Sequence, residues 1–194
     1  MGIIKTALEI ALEKTEDVKS GRSSIDQYEA KQHGKKLANA FLAGEKDLAE
    51  EIKNTPSEQQ GSLKQGIFDV LISQITMPAV KEDEIRIELA GKGLQTIINN
   101  KQFNILFQQF MQILSRYLQE ASQYEQAIRQ QYASKLRHKE EELSRRLGRE
   151  VRIDPLQDPE FIAFFNQHMN VLKGNYEPVV KQVKEEARSL FDVS

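Results

Sequence analysis

From Lys101 up to Gly148 the chain contains neither proline nor glycine, and apolar residues recur at three- and four-residue steps. They run Phe103, Phe107, Phe110, Leu114, Tyr117, Ala121, Tyr124, Ile128, Tyr132, Leu136, Leu143 and Leu147. This pattern reads as one helix of about 45 residues, on the order of 70 Å long at the helical rise, which is more than an ordinary small domain can enclose. Such a helix must project or pair with another long helix, and the near-heptad recurrence favours a coiled-coil-like seam.

The pairing helix is expected from the C-terminal segment. Arg152-Ile153-Asp154-Pro155-Leu156-Gln157-Asp158-Pro159 cannot continue a helix, and Asp158 followed by Pro159 has the chemistry of an N-cap with proline at the first helical position. Beyond it, Phe161, Phe165, Met169, Leu172, Tyr176, Val179, Val183, Ala187 and Leu190 keep helical spacing, with a break or kink expected at Gly174-Asn175 and Pro178. The reading for 101–194 is a long antiparallel helical hairpin.

Residues 1–100 read as a bundle of shorter helices. One helix is expected over Ile3–Lys19, ended by Ser20-Gly21, and a second from a capping box at Ser23 or Ser24, interrupted near Gly44. A third starts at Thr55-Pro56 and carries Ile67, Phe68, Leu71, Ile72 and Ile75 before stopping ahead of Pro78. A fourth runs from about Asp83 to Asn99, where Ala90, Gly91 and Gly93 would let a neighbouring backbone approach. The fold class is therefore all-α, a helical bundle whose two parts, 1–100 and 101–194, pack as one structural unit.

Composition narrows the function. In 194 residues, 27 lysines and arginines nearly balance 29 acids, for a formal net charge of -2 that disfavours nucleic acid as the main ligand. The absence of cysteine excludes disulfides and thiolate chemistry and fits a cytoplasmic setting. No segment is apolar over membrane thickness, and acids arrive too early for a secretory leader. Gly2 and Thr6 match the N-myristoylation pattern, which ordinary composition also produces in a chain starting Met-Gly.

Two surfaces stand out. Between Gln102 and Ser134 the long helix carries only Arg116, Glu120, Glu125 and Arg129 as charges, and its polar positions are glutamines, including Gln112, Gln119 and Gln126. The segment Phe161-Ile162-Ala163-Phe164-Phe165 is apolar around more than one face, and cover from Leu136, Leu143 and Leu147 alone would not suffice. Leaving two phenylalanines exposed would forfeit several kcal/mol at about 25 cal/mol per Å². Either the amino-terminal helices fold over this segment, or Phe161, Phe164 and Phe165 form a partner interface with the glutamine face, which otherwise is a semi-exposed face chosen for helix propensity. Arg145, Arg146, Arg149 and Arg152, diluted by nearby glutamates, are a candidate site for an anion or acidic partner.

Catalytic and metal signatures are missing. His33, His138 and His168 lie in separate helices without zincin or di-iron spacing, and Asp154 and Asp158 lack the ligand pattern of a calcium loop. No phosphate-cradling or nucleophile-elbow motif occurs. No cofactor or metal is expected.

The opening Ile4-Lys5-Thr6-Ala7-Leu8-Glu9-Ile10-Ala11-Leu12-Glu13-Lys14-Thr15, with Lys35-Lys36-Leu37-Ala38, resembles a family of uncharacterised bacterial α-helical proteins, a domain of unknown function. The resemblance covers the first quarter of the chain and implies a bacterial, cytoplasmic setting without an activity. The expected function is a non-enzymatic interaction or assembly protein that forms a homo-oligomer, in the simplest case a dimer, or docks on another helical protein. One alternative is peripheral membrane attachment through an amphipathic N-terminal helix bearing Ile3, Ile4, Leu8 and Leu12, which its many acids disfavour. The other is a small-ligand binder or unrecognised enzyme in a bundle pocket.

Overall fold

A computed structural model describes the backbone of residues 7–193 and the side chains from residue 24 onward. Ile3, Ile4, Gly2 and Thr6, and the side chains of Leu8 and Leu12, lie outside that description, and with them the membrane-attachment and lipidation readings. The regular elements of the described chain are all helical, in the order α1 (Ala7–Leu42), α2 (Leu48–Asn54), α3 (Ser57–Gln74), α4 (Lys81–Ile98), α5 (Lys101–Leu147), a 3-10 turn (Pro155–Gln157) and α6 (Pro159–Asp192). Among the described residues there is no strand, and no helix is long and apolar enough to cross a membrane.

Two expected boundaries are absent. Ser20-Gly21 does not end a helix and Ser23 or Ser24 does not begin one, because α1 runs unbroken through both. A single glycine costs a helix about 1 kcal/mol, which the continuing intrahelical hydrogen bonds on either side outweigh when no proline removes a donor. Of the break or kink expected at Gly174-Asn175 and Pro178, the break is absent, since α6 contains these residues without interruption. The carbonyl that a proline ring at 178 crowds belongs to residue 174, where glycine leaves the backbone free to adjust. The interruption expected near Gly44 is present: Gly44, at φ 76°, ends α1. Asp47 then caps α2 by accepting from the Glu50 amide at 3.0 Å, and α4 begins at Lys81, with Asp83 accepting from the amides of Ala79 and Val80.

The chain divides into two compact units. One takes the chain up to Ile75, Arg86–Lys101 and the end from Leu190; the other comprises Thr76–Ile85 and Gln102–Ser189. In the first, α1 and α3 run antiparallel and meet at a pair of glycines. A methyl group on Gly34 would strike the Leu63 carbonyl, and one on Gly66 would strike the Lys31 carbonyl. The two backbones are thus in direct contact, in a geometry that leaves room for glycine Cα–H groups against carbonyl oxygens. Leu37 and Ala38 of α1 and Leu63, Ile67 and Leu71 of α3 are buried around this crossing. Lys31 and Asp69 pair at 2.8 Å on its rim, and Phe68 stacks on Phe191 at 4.4 Å. Gly93 of α4 faces Leu71, Phe41 and Leu48 so closely that an added Cβ would displace them; what approaches there is side chains, and not the neighbouring backbone expected from the small residues of that helix.

Gly34→Ala and Gly66→Ala should each lower stability by about 3 kcal/mol, because the obstruction is backbone that cannot rotate away. Gly61→Ala, in the same helix α3 but facing open space, should raise stability by about 0.5–1 kcal/mol. Urea unfolding of the three variants checks both signs.

Candidate functional site

The second unit is built on the pairing of α5 with α6. Tyr132 meets Phe161 with ring centres 5.2 Å apart, and Tyr117 meets Tyr176 at 5.1 Å. Fifteen residues back along α5 thus match fifteen forward along α6, so the helices are antiparallel and in step over about 22 Å. Between these points Ile128, Tyr132 and Phe161 form a buried cluster, with Tyr124, Leu136, Phe164, Phe165 and Met169 packed against it. His168 is half-buried there, edge-on to Phe164 at 4.4 Å, in an aromatic setting without any ligand geometry.

That register departs from the expected one. Leu143 and Leu147 do not cover the Phe161–Phe165 segment; Tyr124, Ile128, Tyr132 and Leu136 do, and Leu147 is 57% exposed. The cause is the connection. Gly148, at φ 65°, ends α5, and the chain then runs back along the helix before α6 begins. The Val151 amide donates to Ser144 Oγ at 2.9 Å and the Ile153 amide to Glu140 Oε1 at 2.9 Å. Two residues of this return segment span four residues of helix, about 6 Å, which only an extended chain rising about 3.3 Å per residue achieves. The last turns of α5 are therefore covered by the return segment and not by α6.

The return ends in a pinned turn. Asp154 accepts from the Leu156 amide at 3.0 Å, and Asp158 caps α6 by accepting from the Glu160 amide at 3.0 Å. Asp158 is 5% exposed, the one buried charged side chain among the described residues. Lys139 donates to both of its oxygens, at 3.0 and 2.8 Å, and the Tyr132 hydroxyl donates to Oδ2 at 3.2 Å. Lys139 and Lys135 also pair with Glu160, at 3.1 and 2.7 Å. The hydrogen bond from Lys139 holds the Asp158 carboxyl below its ordinary 3.8, against the opposing effect of burial. The same bond raises Lys139, and Lys135 lowers Glu160.

With the register set, the expected interface residues separate. Phe161 is 1% exposed, and Phe164 and Phe165 are half-buried inside the hairpin. Gln112, Gln119 and Gln126 lie on the opposite, exposed side of α5, in line with Ile105, Gln109, Arg116, Gln123 and Gln130, all exposed. Of the other charges of this half-helix, Glu120 accepts from the Tyr176 hydroxyl at 2.6 Å and Glu125 pairs with Arg129 at 2.9 Å. The partner helix continues this character: Phe161–Leu172 contains no Asp, Glu, Lys or Arg, and Ile162, Asn166, Gln167, Asn170 and Val171 are exposed. A band of amide and small apolar groups thus lies on the outer faces of both helices. The α6 half of it is countable in the sequence as a charge-free run, but the phenylalanines of the same run are its more prominent feature there.

The four arginines lie at the tip, where two surface grooves of about 470 and 490 Å³ flank the return segment. Arg145 and Arg152 line the first, Arg146 and Arg152 the second, and Arg149 neither. Arg145 Nε donates to the Glu141 carbonyl at 3.4 Å, and Arg152 pairs with Glu150 at 3.2 Å, both exposed. A third groove, of about 560 Å³, is lined by Lys81 and Glu84 of α4 and by Ser115, Leu118, Gln119, Ser122 and Gln123 of α5. Among the described residues no three acidic or histidine side chains converge as a metal site.

These features define an all-α protein with a long antiparallel hairpin, whose distinctive groups are surface amides and a charged tip. The chain belongs to the family of unknown function DUF6657, which it matches over residues 49–189. The match includes the pinned turn and the amide band, and lies downstream of the segments, Ile4–Thr15 and Lys35–Ala38, that suggested an uncharacterised family. No curated protein and no solved structure matches the chain.

Asp158→Ala should destabilise the protein by about 2–3 kcal/mol, since it removes the α6 cap and the two hydrogen bonds that Lys139 makes to it, leaving Lys139 with Glu160 alone as its ion-pair partner, whereas Asp158→Asn, which keeps the cap, should cost less. Because the Asp158 carboxyl is lowered on folding, its contribution is fully present above 3.8 and disappears as acid titrates the folded group. Acid titration followed by circular dichroism should show wild type losing stability below that pH and Asp158→Asn losing less of it. Phe161→Ala should cost about 3–5 kcal/mol in urea unfolding, as expected for a fully buried phenylalanine.

Proposed function

We propose that the protein is a non-enzymatic assembly module whose hairpin associates with a second copy of itself along the amide band of α5. The observation that carries this reading is the exposed stripe Ile105, Gln109, Gln112, Arg116, Gln119, Gln123, Gln126 and Gln130. Its alternating three- and four-residue steps are those of a coiled-coil seam, and they lie opposite the buried stripe that faces α6. An ordinary solvated helix face carries lysine and glutamate, while this one carries a single charge over eight positions.

The chemistry favours a like partner. A primary amide both donates and accepts, so a row of glutamines is complementary to a copy of itself, as a two-fold interface requires. Drying neutral amides also costs far less than drying ions. Antiparallel pairing opposes the helix dipoles favourably. A bacterial, cytoplasmic setting belongs to this reading, and the cysteine-free composition supports a reducing compartment.

Light scattering of the full chain at micromolar concentration should give the mass of a dimer. Gln119→Glu with Gln126→Glu, on exposed positions, should give a monomer with unchanged helicity, and mixing it with the corresponding lysine pair should restore the dimer. A wild-type monomer at this concentration, or a glutamate variant that dimerises as well as wild type, overturns the proposal.

A further inference from the structure

The amide band of α5 has a shoulder at its middle. The start of α4 belongs to the same compact unit, and its Lys81 and Glu84 form one wall of the groove whose other wall runs from Ser115 to Gln123. Gln119 and Gln123 line that groove and lie in the band as well. Lys81 is exposed and Glu84 half-buried. Among the described residues neither makes an ion pair, whereas Glu88 and Lys92, further along α4, pair with each other at 2.8 Å. Ile85, one turn from Lys81 on the same helix face, is 67% exposed. At 100° per residue, Ser115 and Ser122 fall on one side of the stripe and Glu120 on the other. Arg116 and Glu120 thus provide a second cation and anion at the same level, on the flank away from α4.

Two-fold symmetry gives these charges partners. The stripe runs from Ile105 to Gln130. Two copies laid antiparallel with their stripes fully overlapped set Ile105 beside Gln130, Gln112 beside Gln123 and Arg116 beside Gln119 of the second copy. The axis then passes between Arg116 and Gln119, level with the groove. Such an axis is perpendicular to both helices, so each shoulder stays on its own side of the seam and the two α4 turns face each other. A parallel pair, whose axis runs along the helices, would carry them to opposite sides.

We propose that the hairpins pair antiparallel about an axis between Arg116 and Gln119, and that Lys81 and Glu84 of α4 close the seam by reciprocal ion pairs with Glu84 and Lys81 of the second copy. On the other flank Arg116 meets Glu120 in the same reciprocal way; Glu120 gives one oxygen to the Tyr176 hydroxyl and keeps further acceptor sites. Ile85 gains apolar cover beside the α4 pairs. This arrangement, which rests on the self-association of α5 proposed above, fixes its direction and register and places residues outside α5 among those that select the partner.

Charge reversal and crosslinking of the full chain test it. Lys81→Glu and Glu84→Lys each set like charges together and should weaken the dimer by about tenfold at low salt, with helicity unchanged. Carrying both substitutions in one chain should restore wild-type affinity, as should mixing the two single variants. The chain has no cysteine, so Gln112→Cys and Gln123→Cys can be oxidised without background. Mixed together they should form a disulfide-linked dimer, and each alone should not, because residue 112 lies about 16 Å along the helix from its own copy. Gln112→Cys crosslinking to itself, or single charge reversals that dimerise as tightly as wild type, overturns the arrangement while wild type remains a dimer. A monomeric wild type overturns it together with the assembly reading.

Discussion

A carboxylate buried at the start of α6 governs the geometry of the hairpin. Asp158 caps its own helix through the Glu160 amide while Lys139 and Tyr132 of α5 occupy its remaining acceptor sites. A buried carboxylate left unpaired would be strongly unfavourable, and that penalty excludes neighbouring registers. One residue of slip along α6 would move Phe161 off Tyr132 as well as break the ion pair, so polar and aromatic contacts select the same alignment. Specificity of register, more than net stability, is the natural role for such a pair.

The first unit solves its packing differently. Where the hairpin aligns long side chains around a polar pin, α1 and α3 touch backbone to backbone at Gly34 and Gly66, and the surrounding leucines and isoleucines close over the contact. One consequence concerns the family. The matched span begins at 49 and so includes Gly66 but not Gly34, whose helix supplies the facing backbone. The segment preceding the match is thus part of the packed unit around α3.

Much of the fold was legible in the residues. The absence of proline and glycine between Lys101 and Leu147 defined α5 to within a residue, and Asp158-Pro159 marked the start of α6, because capping and proline geometry are local effects. The boundary that failed at Ser20-Gly21, and the break that did not occur near Pro178, were also read from local signals, whose cost of about 1–3 kcal/mol a continuing helix can absorb. The glutamine face was visible as a deficit of charge, and the structure adds that all six of its named glutamines are exposed. What local reading missed was Lys139: one lysine in a charged run looks solvated until the chain returns to set a carboxylate beside it.

By itself the sequence determined the helices, their caps and the two-sided character of α5, since these follow from hydrogen bonding and side-chain chemistry within a few residues. Only the tertiary structure decided the register. The eleven-residue connection between Leu147 and Pro159 could have looped outward or run back along α5, and the choice depended on contacts between residues far apart in the chain. By running back, it buried Phe161 against Tyr132, left Leu147 exposed at the tip and turned the amide face outward. Spacing along one helix cannot encode that outcome, because it is set by where the second helix lands.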